Sequence, residues 1–222
     1  MERLRQSRVR LFWGGVSYAT MSGVKRTTAI GRLSDVADGL DRSKQWPGPA
    51  VAAAYVYGEF LDLSIEVERV QLALVVDQPA AVVAWMSRPA QLEALAAMLR
   101  FDKLPLSWCW RPLEWPVWNH EITGGVCFWT IDGGVDQHAL DVLLSGEVGP
   151  LMLGPADREQ LMDQLRVERE VGWQHLAEVT ERFHDSEWRR AHRGDGVYPE
   201  DHLWSAAAGY LELQRALEDP PT

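Results

Sequence analysis

Apolar and small residues at Ala29, Ile30, Leu33, Val36, Ala37 and Leu40 recur at the three-and-four spacing of an amphipathic helix, which predicts a first helix from Lys25 to Leu40. Trp46-Pro47-Gly48-Pro49 then punctuates the chain as a rigid turn. Ala50 to Tyr57 is a short apolar run closed by Gly58 and predicts a buried strand. Residues Glu59 to Glu66 are mixed, and Val67 to Asp77 predicts a second strand, amphipathic at its start and wholly apolar at its end. Pro89 opens a strong helical pattern through Arg100, and Leu104 to Trp110 follows as a third strand.

Two β-rich runs flank Gly124-Gly125, one on each side between Trp118 and Asp132, and a two-glycine connection there predicts a hairpin. Asp136 is placed to cap a helix that ends at Gly146. From Pro155 the pattern changes to two long amphipathic helices, broken at Arg193-Gly194-Asp195-Gly196. The alternation of helix and strand predicts an α/β (α+β) fold with one mixed sheet, flanking helices and a C-terminal helical hairpin. The expected organisation is a basic extension over 1–24, an α/β domain over 25–150 and a helical region over 151–222.

The 222 residues carry a formal net charge of -10, which repels phosphate polymers and disfavours nucleic acid as a partner. Residues 1–32 run against that balance, with seven basic side chains facing only Glu2. The apolar run behind this basic start is interrupted by Gly14-Gly15 and lacks a small-residue cleavage site, so it reads as an extension rather than a secretory signal. No apolar stretch approaches the roughly 20 residues of a membrane-spanning helix. Cys109 and Cys127 are too few for a disulfide framework and read as a reduced pair, which points to the cytoplasm. Arginine far exceeds lysine, a composition of GC-rich, actinobacterial-type genomes.

The strand Tyr55-Val56-Tyr57 ending in Gly58-Glu59, followed after about ten residues by Glu68-Arg69-Val70-Gln71-Leu72-Ala73-Leu74-Val75-Val76-Asp77, resembles the core of the nucleotidyltransferase superfold. The resemblance covers about residues 25 to 110. In that family the first strand ends in Gly-Ser, and the second begins with Asp-x-Asp. The resemblance therefore places Glu59 at the serine position and Arg69 and Gln71 at the two carboxylate positions. Those carboxylates hold the divalent cations that bridge nucleotide phosphates. A guanidinium repels such a cation, and an amide offers one weak oxygen. Glu59 adds an anion where the phosphates are received. Gly58, Glu59, Arg69 and Gln71 thus form a degenerate motif, and the expectation is a non-catalytic member with no metal and no cofactor.

A shifted register offers an alternative, because Glu66 and Glu68 also have carboxylate-x-carboxylate spacing. An active metal-dependent nucleotidyltransferase would use that pair. Elsewhere, Trp108, Trp110, Trp115, Trp118 and Trp129 crowd one stretch, and the first four are a candidate ligand or partner face. The bland reading has them covering the sheet under neighbouring helices. Six histidines show no i,i+4 pair, no HExxH and no cysteine partner, and read as caps or surface residues. No GxSxG, P-loop or dinucleotide glycine fingerprint is present. The expected function is a binding or regulatory module whose partner is a protein or a small ligand. A structural subunit that contacts other chains, or its own copies, through the acidic helical hairpin is the remaining alternative.

Overall fold

The computed structural model describes residues 25–63, 68–155, 157–194 and 197–220. The basic extension expected over 1–24, and Glu66 of the alternative acidic pair, lie outside them.

Alternation with period two builds a six-stranded mixed sheet from β1 (Val51–Tyr57), β2 (Val70–Val76), β3 (Leu106–Pro112), β4 (Gly125–Thr130), β5 (Gly134–Val135) and β6 (Met152–Leu153). The order is β3-β2-β1-β4-β5, with β6 also on β4. β1 runs antiparallel to β2 and β4, while β2 and β3 are parallel. That parallel pair needs a crossover, which α2 (Ala90–Met98) supplies. The fold is α+β.

On one face of the sheet Val70, Leu72, Leu74 and Val76 of β2, with Trp108 and Trp110 of β3, pack beneath α1 (Arg26–Ser43), α2 and α3 (Gln137–Ser145). The opposite face carries Tyr57, Ala73, Val75 and Cys109. It is covered by Leu161 and Leu165 of α4 (Arg158–Arg182) and by Leu213 and Ala216 of α6 (Pro199–Glu218). The C-terminal helices therefore form a third layer. Between them lies a short α5 (Ser186–Ala191) that the apolar pattern does not announce. Asp185 starts it by accepting from the Glu187 and Trp188 amides, and buried Trp188 anchors it. No helix among the described residues is long and apolar enough to cross a membrane.

One expectation is corrected. Gly124-Gly125 does not join a hairpin: residues 119–123 form no strand, and β4 pairs with β1 instead. The reason is Asn119, fully buried, whose side-chain oxygen accepts from the backbone N–H groups of Glu121 and Ile122 and folds the segment into a turn. The α3 caps match the sequence: Asp136 accepts from the Ala139 amide, and Gly146 takes the left-handed conformation with φ 83°. Asp136→Ala should cost about 1 kcal/mol of unfolding free energy. Chemical denaturation of the two proteins would read it, and an unchanged midpoint would contradict the capping role.

Candidate functional site

The Gly58 turn is built by the end of β1 and the start of β2, where Tyr57 and Gln71 face each other in register. Gly58 sits at φ 74° and opens a 3-10 turn, Gly58–Leu61, a conformation that favours a residue without Cβ. Gln71 folds its side chain over this glycine. Its Oε1 accepts from the Glu59 N–H at 3.4 Å, and a Cβ on residue 58 would overlap that same oxygen. Gly58, the Glu59 backbone and Gln71 are therefore brought together. Glu59 is exposed, Arg69 is half-buried just ahead of β2, and Glu68 is exposed beside it.

Behind the turn, among the described residues, the strands of the second face carry no carboxylate, although Glu121 and Glu212 lie near enough to help raise the Tyr57 phenol. Ser107 is the parallel partner of Gln71, and Cys109 is that of Ala73. The buried Tyr57 hydroxyl donates to Cys109 Sγ at 3.8 Å. Burial pushes the Cys109 thiol up to about 12 and the Tyr57 phenol well above its ordinary value, so both stay neutral at physiological pH. Among the described residues no group of three His, Cys, Asp or Glu could hold a metal ion. Cys109 and Cys127 are both free thiols.

Farther along the same face β3 points Arg111 at Glu168 of α4. The two are 1% and 0% exposed. Two guanidinium nitrogens bind the two carboxylate oxygens at 2.6 and 2.9 Å, Asn119 and Gln164 donate to the same carboxylate, and Arg111 also donates to the Pro116 carbonyl. Burial raises the Glu168 pKa, but the adjacent Arg111 charge outweighs it and holds the carboxyl below the usual range. Burial likewise lowers Arg111, and the Glu168 charge more than reverses that. This pair joins the helical layer to the sheet.

The four tryptophans do not form one surface. Trp110 is buried and Trp108 half-buried on the α1–α3 side, the latter against Phe101 with ring centroids 5.3 Å apart. Trp118 packs on the opposite side, and the half-buried Trp115 ring stands 5.7 Å from the Arg111 guanidinium. Among the described residues the exposed tryptophans are instead Trp173 on α4 and Trp204 on α6, at 50% and 52%. The structure also gathers His175 of α4, His192 just past the end of α5 and His202 of α6 around one cavity. Sequence reasoning missed this cluster. No local spacing links the three residues, so only the packing of α4, α5 and α6 shows it.

A protein-family model described as a domain of unknown function matches residues 24–219. No curated protein and no solved structure matches the chain.

Proposed function

The chain belongs to DUF7711, a domain of unknown function, and from that premise we propose that it is a non-catalytic, nucleotidyltransferase-like protein that acts as a binding or regulatory module. The observation that carries the proposal is the Gln71 amide lying over Gly58 and accepting from the Glu59 N–H. That space and that donor are where the resemblance puts the incoming phosphates. A side chain already satisfies the turn, and the face behind it offers a neutral Tyr57–Cys109 pair in place of carboxylates. Among the described residues, the strands of that face give a magnesium triphosphate no carboxylate ligand. Two free thiols, one of them buried, suit a reducing compartment, and cytoplasmic residence is part of the proposal.

Calorimetry of the full chain with Mg²⁺ and ATP or CTP tests this reading. The expected result is no metal-dependent nucleotide binding. Binding that needs the metal and disappears in Glu66→Ala or Glu68→Ala would establish the active alternative instead.

A second reading, a subunit of a larger assembly, is favoured by exposed Trp173 and Trp204 on the outer helices. Light scattering distinguishes a self-associating chain from a monomer.

A further inference from the structure

At the carboxyl end of β2, far from the Gly58 turn at the other end of the strand, the α/β body and the helical layer form a solvent-open cavity of about 410 Å³. Its floor is apolar, with Pro49, Val82, Leu92, Val179 and Trp188. Arg88, Arg182, His175, His192 and His202 supply its polar wall together with Glu178. The segment after a parallel strand and the start of its crossover helix commonly hold ligands, because free backbone N–H groups converge there. Here that helix is α2. No side chain caps it, and its first residues, Ala90 and Gln91, line the cavity.

His202 is the second, independent sign of a ligand. It is only 8% exposed and lines the cavity, yet among the described residues neither ring nitrogen has a hydrogen-bond partner. Its contacts are ring against ring, with Trp188 at 6.2 Å and His192 at 5.0 Å between centroids. His192 stacks on Trp188 at 4.1 Å, and its Nδ1 is fixed by the Trp188 carbonyl. A polar group bound in the cavity would give the imidazole the hydrogen bond that the surrounding side chains do not supply.

We propose that this cavity binds a small oxyanion, a phosphate monoester or a carboxylate on a short apolar body, with the anion between the α2 N-terminus, the two arginines and the imidazoles. The apolar body packs on Trp188 and Leu92. Glu93 ties down Arg88 at 2.6 Å, and Glu178 lies 3.3 Å from Arg182, so the cations are oriented before a ligand arrives.

Binding is coupled to proton uptake. Burial lowers His202 to about 4, and the neighbouring His192, Arg88 and His175 push in the same direction, opposed by Asp201 of its own helix. Burial also lowers His175, against Glu178 and with His192. Glu93 and Arg182 complete the charged groups around the ring. An anion set among them raises the imidazole pKa values, so affinity increases as pH falls.

The test is calorimetry on the full chain in EDTA with phenyl phosphate, benzoate and neutral benzamide. EDTA removes any magnesium-nucleotide binding at the Gly58 turn, so failure here and failure of the proposed function are separable. At least one of the two anions should bind about tenfold or more tighter than benzamide. The stronger of the two identifies the phosphate or the carboxylate as the natural group. Benzoate keeps its charge from about pH 8 to about pH 5.5, and its affinity should rise on acidification, to a limit of about tenfold per pH unit for one proton taken up. His202→Phe keeps the ring packing and removes the nitrogens. It and the exposed-site variant Arg182→Gln should each weaken anion binding while the thermal midpoint confirms the fold. Benzamide binding as tightly as the anions, no binding of any probe, or unchanged affinity in both variants would overturn the proposal.

Discussion

Glu168→Leu should lower the unfolding free energy by about 3–5 kcal/mol, the usual effect of removing one partner from a buried ion pair. The size follows from what is left behind. Arg111 stays 1% exposed, loses both carboxylate contacts and keeps the Pro116 carbonyl as its main short acceptor. Urea unfolding followed by tryptophan fluorescence would read the change as a shift in midpoint. Arg111→Met with Glu168→Leu should recover part of the loss, because an apolar pair of similar volume removes two desolvation penalties at once. Recovery will be incomplete by about 1–3 kcal/mol, since buried Asn119 loses its carboxylate acceptor. Half-buried Gln164 can turn to water instead. If the single variant unfolds like the wild type, α4 is not held to the sheet by this pair. The same site sets an acid limit. The folded-state pKa of Glu168 is depressed, so its stabilisation is complete above the ordinary carboxylate range and disappears as pH falls through the folded value. Glu168→Leu should therefore flatten the acid limb of the stability profile.

Much of the fold was legible because its signals are local. The three-and-four spacing of α1, the period-two run of β2 and the Asp136 and Gly146 caps each depend on residues within one or two turns. What was not legible depends on residues far apart in sequence. Arg111 and Glu168 are 57 positions apart, and Asn119 turns residues 119–122 away from strand only because it is buried against that carboxylate. One signal for the pair was present. Arg111 follows Cys109 at period two on a strand whose other residues are mostly apolar, so it had to face a covered surface and needed a partner. Gly58, the Glu59 backbone and Gln71 lie together, and the fold of Gln71 over Gly58 needed the β1–β2 register to be seen. The histidine cavity left no trace at all, because its imidazoles come from α4, the end of α5 and α6, which only the tertiary packing brings together.

Gly209→Ala should destabilise the chain by about 2 kcal/mol although it replaces the poorest ordinary helix former with the best, a change otherwise worth about 1 kcal/mol in the opposite direction. A Cβ on residue 209 of α6 would overlap the Trp85 carbonyl oxygen and stand 3.1 Å from Met86 Cβ. The obstacle is backbone, which cannot rotate aside as the end of a side chain could. Met86 is already held at φ 63°, and the Trp85 indole donates to Glu212 at 3.3 Å, so the loop is pinned on both sides of the contact. Relief must come from moving α6 or the loop. The loop leads directly into Arg88 and Pro89, so the displacement reaches the cavity wall, and benzoate affinity should fall together with stability. Gly31→Ala is the control. That glycine is exposed on α1 with nothing within 4 Å of the added atom, and the substitution should raise stability by about 0.5–1 kcal/mol. Thermal melts of both variants would show opposite signs. A stabilised Gly209→Ala protein would mean that α6 does not press on the Trp85 carbonyl, and the helical layer would then stand farther from the α/β body than this joint allows.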